Sequence, residues 1–509
     1  MKKIQLAALL VAMALLLALP GQALACTTIY AGANLTADGS SMFGRSEDYS
    51  SDYAKLFSAI PAGVHTAGEE YFGCYGFSWT FTHDSYAYTA FCDDNSQGVC
   101  PDCDGTHAHT PYQAGGTNEM GLSATATETL HGNEAVTAAD PFTDEGIEEA
   151  EIITVLLSEA ASAQEALTLL TSIYSSVGAN AGSGIILADQ SEAWYIENLS
   201  GTQYLAVKLN DDLLFVEPNI SIIGLIDLDD TDNVLASEML IETAVAAGTF
   251  VGDAEANVID FAASYAAANG GNTLYRLAAG LNYLNSANSY PEDLTAEGID
   301  SSEFTLSNID ADGNTVALYS NITTDLVLDA QAIVDFYKVS PIGEAGNTET
   351  HFFQINSDAE LATGTVEWLS MDNALYNVFV PYYPMLTDDV FAAYKTGNDF
   401  ADYSEEEPAE GTYFTARNGW VIYPEGWENS FYWVFAALSH VALENEEAAA
   451  HITEVMAGVQ AEINADWAEL QEAVAGAEDP AAVATEGSAA MAEKVFNAAV
   501  ALLGEYGLI

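Results

Sequence analysis

The stretch "ALACTTIYAGANLTADGSSMFGRSEDY", residues 23–49, decides how the chain begins to fold. Two runs of strand character, TTIYAG and SMFGRSED, flank NLTADGS, whose Asn, Asp and Gly favour a turn. The spacing predicts a β-hairpin over residues 26–48, which would carry Arg45 and Asp48 back beside Cys26. Ahead of it, Ala23-Leu24-Ala25 has the small-x-small form of a signal-peptidase site. A cut there leaves Cys26 first. A cysteine in that place has three readings: a lipid anchor, half of a disulfide, or a nucleophile whose own α-amine is uncovered by the cut.

Residues 1–25 read as a secretion signal outside the fold, which places the protein outside the cell, exported by a bacterial-type signal. Lys2 and Lys3 give a positive start, and Ile4 to Leu19 is apolar but short for a membrane span. A retained N-terminal anchor is the competing reading. No later segment is apolar for long enough to span a bilayer. The remaining residues, 26–509, are long for one domain and short for three, and ample for a core that needs no disulfide framework.

The charge is extreme: 76 Asp plus Glu stand against 10 Lys plus Arg. Outside residues 1–25, only eight basic residues remain, and three are arginines: Arg45, Arg276 and Arg417. Such a surface repels nucleic acid and anionic membranes. It suits solubility in salty or crowded surroundings, or the recruitment of basic partners. In a chain so poor in cations, each arginine is expected to have a specific task.

Apart from Cys26, the cysteines are Cys74, Cys92, Cys100 and Cys103. They suffice for two disulfides in an oxidising compartment. Cys100 and Cys103 in VCPDCDG, with His107 and His109, also have metal-ligand spacing. Secretion favours disulfides. Either way they form a local staple on an insertion rather than the active site.

Further along, residues 60–116 read as irregular, and EMGLSATAT (119–127) as a strand. Residues 145–175 have helical apolar spacing and split into two helices near Ser162. SGIILADQSEAWYIENLSGTQYLAVKL (183–209) reads as three strands joined by two turns. Helical patterns return at 235–247 and 255–283. TVALYSN and TGTVEWLSM are further strands, and IDADGNT (309–315) is a hairpin turn rather than a calcium loop. From Glu428 onward the chain reads as helical. Strands and helices come in blocks, which argues for packed α+β layers over a doubly wound sheet. EEEPAEG (405–411) is the loop that separates a catalytic domain, 26–410, from a helical C-terminal segment, 411–509, packed upon it.

A terminal cysteine is a self-contained catalytic unit. The α-amine accepts the thiol proton near neutral pH, and the thiolate attacks a carbonyl to form a thioester that water hydrolyses. A nearby cation should lower the thiol pKa, a carboxylate should hold the amine, and oxyanion donors are required. FGRSEDY (43–49) offers the first two groups.

C-T-x on a first strand followed by G-R-x-x-D on the second resembles the cysteine N-terminal-nucleophile hydrolases, among them the choloylglycine hydrolases, the penicillin V acylases and the dipeptidase A and secernin type. TNEMGLSATATET (117–129), the 183–209 hairpins, VEPNISIIGLID (216–227), THFFQI (350–355), GTVEWLSMDNALYNVFVPYY (364–383) and NSFYWVFAAL (429–438) are similar, in order, to landmarks of the dipeptidase branch. The resemblance spans nearly all of residues 26–509 and implies a four-layer αββα sandwich.

By the same resemblance, Cys26 is the nucleophile, Arg45 the arginine near the thiol, and Asp48 the carboxylate that contacts the terminal amine. Asn219 helps bind the tetrahedral intermediate, and Arg276 is a second active-site arginine. The choloylglycine branch has an asparagine as oxyanion donor where this chain has Glu128. A carboxylate cannot fill that role, and Glu128 is expected to bind a substrate's α-ammonium group. His351, Trp368 and Tyr382 sit in landmarks that core packing explains equally well.

The implied activity is a secreted dipeptidase acting on dipeptides, with no cofactor and no metal. It binds no nucleic acid and spans no membrane. A homo-oligomer is compatible with the sequence. The alternatives are an N-acyl amino acid amidase of the bile-salt or penicillin type and a surface lipoprotein lipidated at Cys26. Ala23, where a lipobox carries Leu, argues against the second, and so does the loss of both thiol and amine on lipidation.

Overall fold

The computed structural model describes residues 26–509, apart from 50–53, 74–75, 94–111, 129, 270, 293, 295–297, 398–402, 405–407, 409–412 and 417–418. The proposed signal (1–25), Cys74, Cys100, Cys103, His107, His109, Arg417 and nearly all of the 405–411 loop lie outside the described residues.

The chain mixes helix and sheet around two large antiparallel sheets. Numbering only their strands, these are β1 (Thr27–Ala31), β2 (Ser41–Asp48), β3 (Lys55–Ile60), β4 (Tyr88–Asp93), β5 (Gln113–Thr117), β6 (Ser123–Glu128) and β7 (Ser183–Ala188). They continue with β8 (Ala193–Asn198), β9 (Tyr204–Leu209), β10 (Leu214–Glu217), β11 (Val234–Ala236), β12 (Asn347–Ile355), β13 (Thr365–Met371) and β14 (Val380–Tyr382). A six-stranded sheet runs in the order β10-β1-β2-β12-β13-β14, and an eight-stranded sheet in the order β11-β9-β8-β7-β6-β5-β4-β3.

The expected hairpin forms, with Thr28 opposite Arg45 and Ala31 opposite Met42. The three strands read in 183–209 are β7, β8 and β9, and the IDADGNT turn joins Ser307–Ile309 to Thr315–Tyr319. Two expectations are corrected. Residues 60–116 are not merely irregular: β4 and β5 are interior strands of the eight-stranded sheet, lying between the edge strand β3 and β6. Their sequences, YTAFCD and QAGGT, are buried on both faces except at Asp93 and lack the alternation that marks a half-exposed strand. Residues 255–283 are not one helical stretch, because a short strand, Val258–Asp260, precedes a one-turn helix at Phe261–Tyr265.

Period-2 alternation divides the eight-stranded sheet between two cores. Ile185, Leu187, Trp194 and Ile196 face helices α1 (Glu149–Glu159) and α2 (Ala163–Ser176). Ile186, Ala188, Tyr195 and Val207 face the six-stranded sheet. Ser162 breaks the two helices by accepting a bond from Glu165 N–H, the role of an N-cap. Between the sheets, Phe91 stacks on His351 at 4.5 Å and Phe43 meets Phe353 at 5.1 Å. The approach is close enough that a methyl on Gly115 would stand 2.7 Å from His351 Nε2.

The far face of the six-stranded sheet carries α3 (Gly271–Leu284), α4 (Ala330–Tyr337) and three C-terminal helices, α5 (Phe431–Glu444), α6 (Glu446–Ala475) and α7 (Pro480–Glu505). Phe352 stacks on Trp368, and Trp467 of α6 packs on Trp368 and Tyr383. Gln460 exchanges two bonds with the backbone of Phe379, at 2.8 and 3.0 Å. A small sheet pairs Tyr403–Ser404 with Gly419–Ile422, across residue 410.

Candidate active site

Cys26 immediately precedes β1. Register with β2 and β10 carries the chain end past Glu47 on one side and Pro218-Asn219 on the other. Alternation along β2 then sends Arg45 and Glu47 between the sheets, whereas Ser46 and Asp48 take the opposite face.

Arg45 is fully buried. Its Nη1 lies 3.7 Å from Cys26 Sγ and also donates to the Ala126 carbonyl and to Glu149. Nη2 donates to Glu47 and to the Tyr112 hydroxyl, each at 2.6 Å, and Tyr112 in turn donates to Glu149 at 2.6 Å. Glu349, paired with His351 Nδ1 at 2.8 Å, stands 3.9 Å from Arg45 Nε. Lys55 bridges Glu47 and Asp93.

Arg276, from α3, is also fully buried. It donates to the Cys26 carbonyl, to Thr27 Oγ1 at 2.7 Å, to the Pro218 carbonyl at 2.9 Å and to Asn219 Oδ1 at 2.9 Å. Asn219 Nδ2 donates to the Glu128 carbonyl at 3.0 Å, and Glu128 N–H donates to Glu149 at 2.8 Å. The contacts close into a ring: Cys26, Arg45, Glu149, Glu128, Asn219, Arg276 and back to Cys26. Asp48 accepts from the Asn347 side chain and helps keep Arg276 charged. All six residues singled out from the sequence thus meet at one end of the stacked sheets.

Burial pushes the Cys26 thiol well above its ordinary pKa. Arg45 pulls it down, but Glu149, Glu47 and Asp48 push it up again. The expected lowering by a neighbouring cation is therefore present but outweighed. Burial would discharge Arg45, yet Tyr112, Glu149, Cys26 and Glu47 more than offset this and hold the guanidinium charged. Glu128 faces solvent at the end of β6; partial desolvation and Glu149 push its carboxyl up to about 7, against Arg45.

The sequence reading missed Glu47, Tyr112, Glu149, Glu349 and Asn347. Glu47 was legible, since it lies two residues from Arg45 on a strand and so shares its face. Tyr112 and Glu149 carry no local signal, because only the stacking of α1 and β5 on β2 delivers them. Among the described residues no group of three or more His, Cys, Asp or Glu side chains is placed to hold a metal.

A model of peptidase family C69 matches residues 25–420. A probable dipeptidase of Salmonella dublin is 30% identical over 387 residues, covering 71% of this chain and 82% of that protein. A probable dipeptidase B of Streptococcus pyogenes serotype M1 is 30% identical over 371 residues, covering 70% of this chain and 72% of that protein. A solved conjugated bile acid hydrolase of Clostridium perfringens aligns over 43% of this chain and 56% of its own at 14% identity, with a TM-score of 0.20, too slight to bear on fold or activity.

Proposed function

The chain belongs to peptidase family C69 and is a peptidase, and from that premise we propose that it is a secreted dipeptidase with Cys26 as its nucleophile. The observation that carries the reading is the placement of Cys26 between two buried arginines, one at its thiol and one at its carbonyl.

Removal of residues 1–25 leaves the α-amine of Cys26 free, with a reference pKa of about 7.7–8.0. The amine takes the thiol proton, and the thiolate, stabilised by Arg45, attacks the carbonyl carbon of the substrate's peptide bond. One N–H of Asn219 Nδ2 is engaged by Glu128, and the second is available to the oxyanion. The protonated amine then gives its proton to the departing amino acid, leaving a thioester. Water attacks the thioester, releases the other amino acid and restores the thiol. Asp48 orients the terminal amine, and Arg276 fixes the Cys26 carbonyl and Asn219 together. Glu128 receives the α-ammonium group of the dipeptide. No step calls on a metal or cofactor.

The same reading takes the fold as a four-layer αββα N-terminal-nucleophile sandwich, supported by the two cores on opposite faces of the eight-stranded sheet. It takes the helices after residue 410 as a segment docked on the catalytic domain. Export would uncover the amine, so secretion and activation are one event.

A panel of dipeptides, tripeptides and N-acyl amino acids, given to the chain beginning at Cys26, tests the proposal. Dipeptides should be cut, and Cys26→Ser should lose nearly all activity while remaining folded. Preference for N-acyl amino acids would replace this reading with an amidase, and full activity in Cys26→Ser would end it.

A further inference from the structure

The turn 218–223 that presents Asn219 is held by two buried glutamates, one from each sheet. Asn219 has φ 62, in the left-handed region that asparagine enters more readily than other residues with a side chain. Glu217, at the end of β10 in the six-stranded sheet, accepts from Ile220 N–H at 3.1 Å. Glu197, on β8 of the eight-stranded sheet, accepts from Ile222 N–H at 2.7 Å, Ile223 N–H at 3.4 Å and the Ser221 hydroxyl. Tyr195 donates to the same Glu197 carboxyl at 3.0 Å. Both glutamates are 0% exposed. Ladder bonds do not hold this segment before residue 222, whose carbonyl accepts from Leu306 N–H at 2.6 Å. Its conformation up to that point rests on side-chain acceptors and on Arg276.

We propose that Glu197 and Glu217 are positioning residues that clamp the 218–223 turn and so aim the Asn219 amide at the reacting carbonyl. The bonds of both run to the turn and to Tyr195 rather than to Cys26. The role in aiming Asn219 rests on the dipeptidase reading, whereas the clamp itself does not. What the turn requires of Glu197 is an oxygen acceptor at the right reach. Burial pushes the Glu197 carboxyl up to about 7, against the bonds it accepts from Ser221, Ile222, Tyr195 and Ile223. Glutamine preserves the reach: its carbonyl can serve the two amides while its NH2 donates to Ser221 Oγ. Aspartate keeps the carboxyl but is one methylene too short.

The test compares wild type, Glu197→Gln, Glu197→Asp, Asn219→Ala and the Glu197→Asp/Asn219→Ala double variant, all beginning at Cys26. Three quantities are read: kcat and KM on a dipeptide, and the hydrogen–deuterium exchange rate of the peptide covering 218–223. Glu197→Asp should speed exchange there about tenfold, the effect of losing roughly one hydrogen bond. It should also lower kcat about tenfold or more with KM within about twofold, as expected when a transition-state donor is misplaced. Glu197→Gln should recover both. In the Asn219→Ala background, Glu197→Asp should cost nothing further. Unchanged exchange in Glu197→Asp, equal damage in Glu197→Gln, or losses that simply add would each overturn the proposal. If wild type cuts no dipeptide, the functional reading fails with it, and the exchange arm still decides whether Glu197 holds the turn.

Discussion

Arg45 Nη1 lies 3.7 Å from the thiol of Cys26, and both groups are shielded from solvent at the base of a hairpin. Glu47 and Glu149 hold the guanidinium in its plane, so its charge at the sulfur is fixed rather than sampled.

Arg45→Lys should therefore raise the pH at which Cys26 is alkylated by iodoacetamide and lower kcat/KM by about a hundredfold or more. A lysine cannot bond Glu149, Glu47 and Tyr112 together, so the melting temperature should fall as well. An unchanged alkylation profile would separate Arg45 from the thiol.

Activity should appear only when Cys26 is the first residue. A chain extended by a single glycine should be inert, because an amide nitrogen has its lone pair delocalised into the carbonyl and cannot act as base. Burial has already pushed the thiol pKa up, so without the amine it stays protonated near neutral pH. Intact-mass analysis of the exported protein should give residues 26–509 with an unmodified amine. A Gly-Cys26 variant that turns over dipeptides would rule the mechanism out.

Glu128 should control KM rather than kcat. Its carboxyl, pushed up to about 7 by desolvation and Glu149, loses its negative charge as pH falls through that value. KM for dipeptides with a free α-ammonium should then rise on the acid side. Glu128→Gln should show a KM raised about tenfold, the loss of one charge-assisted bond, and should lack this pH dependence. A KM that is flat with pH in wild type would remove Glu128 from substrate binding.

Stability should fall as pH rises from about 4.5 to about 8. Desolvation pushes the buried Glu367 carboxyl up to about 8, against bonds from Thr89 and Thr117. Between its unfolded and folded pKa values the native state holds a proton that the unfolded chain releases, so rising pH favours unfolding. Glu197, Glu217 and Asp372 add to the same trend. Thermal melts of Glu367→Gln against wild type should show a difference that grows in favour of the variant across this range and is smallest near pH 4.5. A difference independent of pH would refute the assignment.

Chelation should leave the rate unchanged, since the proposed steps use only the amine, the thiol and fixed donors. Loss of activity with EDTA and its recovery with zinc would return attention to Cys100, Cys103 and the neighbouring histidines.

What the sequence alone determined is local. The Asn, Asp and Gly of NLTADGS set the hairpin, and with it the pairing that brings Arg45 to Cys26. Ser162 and Ser430 start their helices because a hydroxyl there satisfies an orphan N–H of the first turn. Strands of 183–209 were legible from their turns. Tertiary structure decided the rest. Arg276 lies 250 residues from Cys26, and only packing of α3 against the β1–β10 edge delivers it. Tyr112, Glu149 and Glu197 reach the ring and its turn because the two sheets stack, a contact that no periodicity encodes. Residues 88–93 and 113–117 escaped notice as strands because burial on both faces erases alternation. Burial, too, set the protonation of the thiol and of the glutamates. A residue's charge in a protein depends on how much water its neighbours exclude, and that is fixed only once the layers have closed.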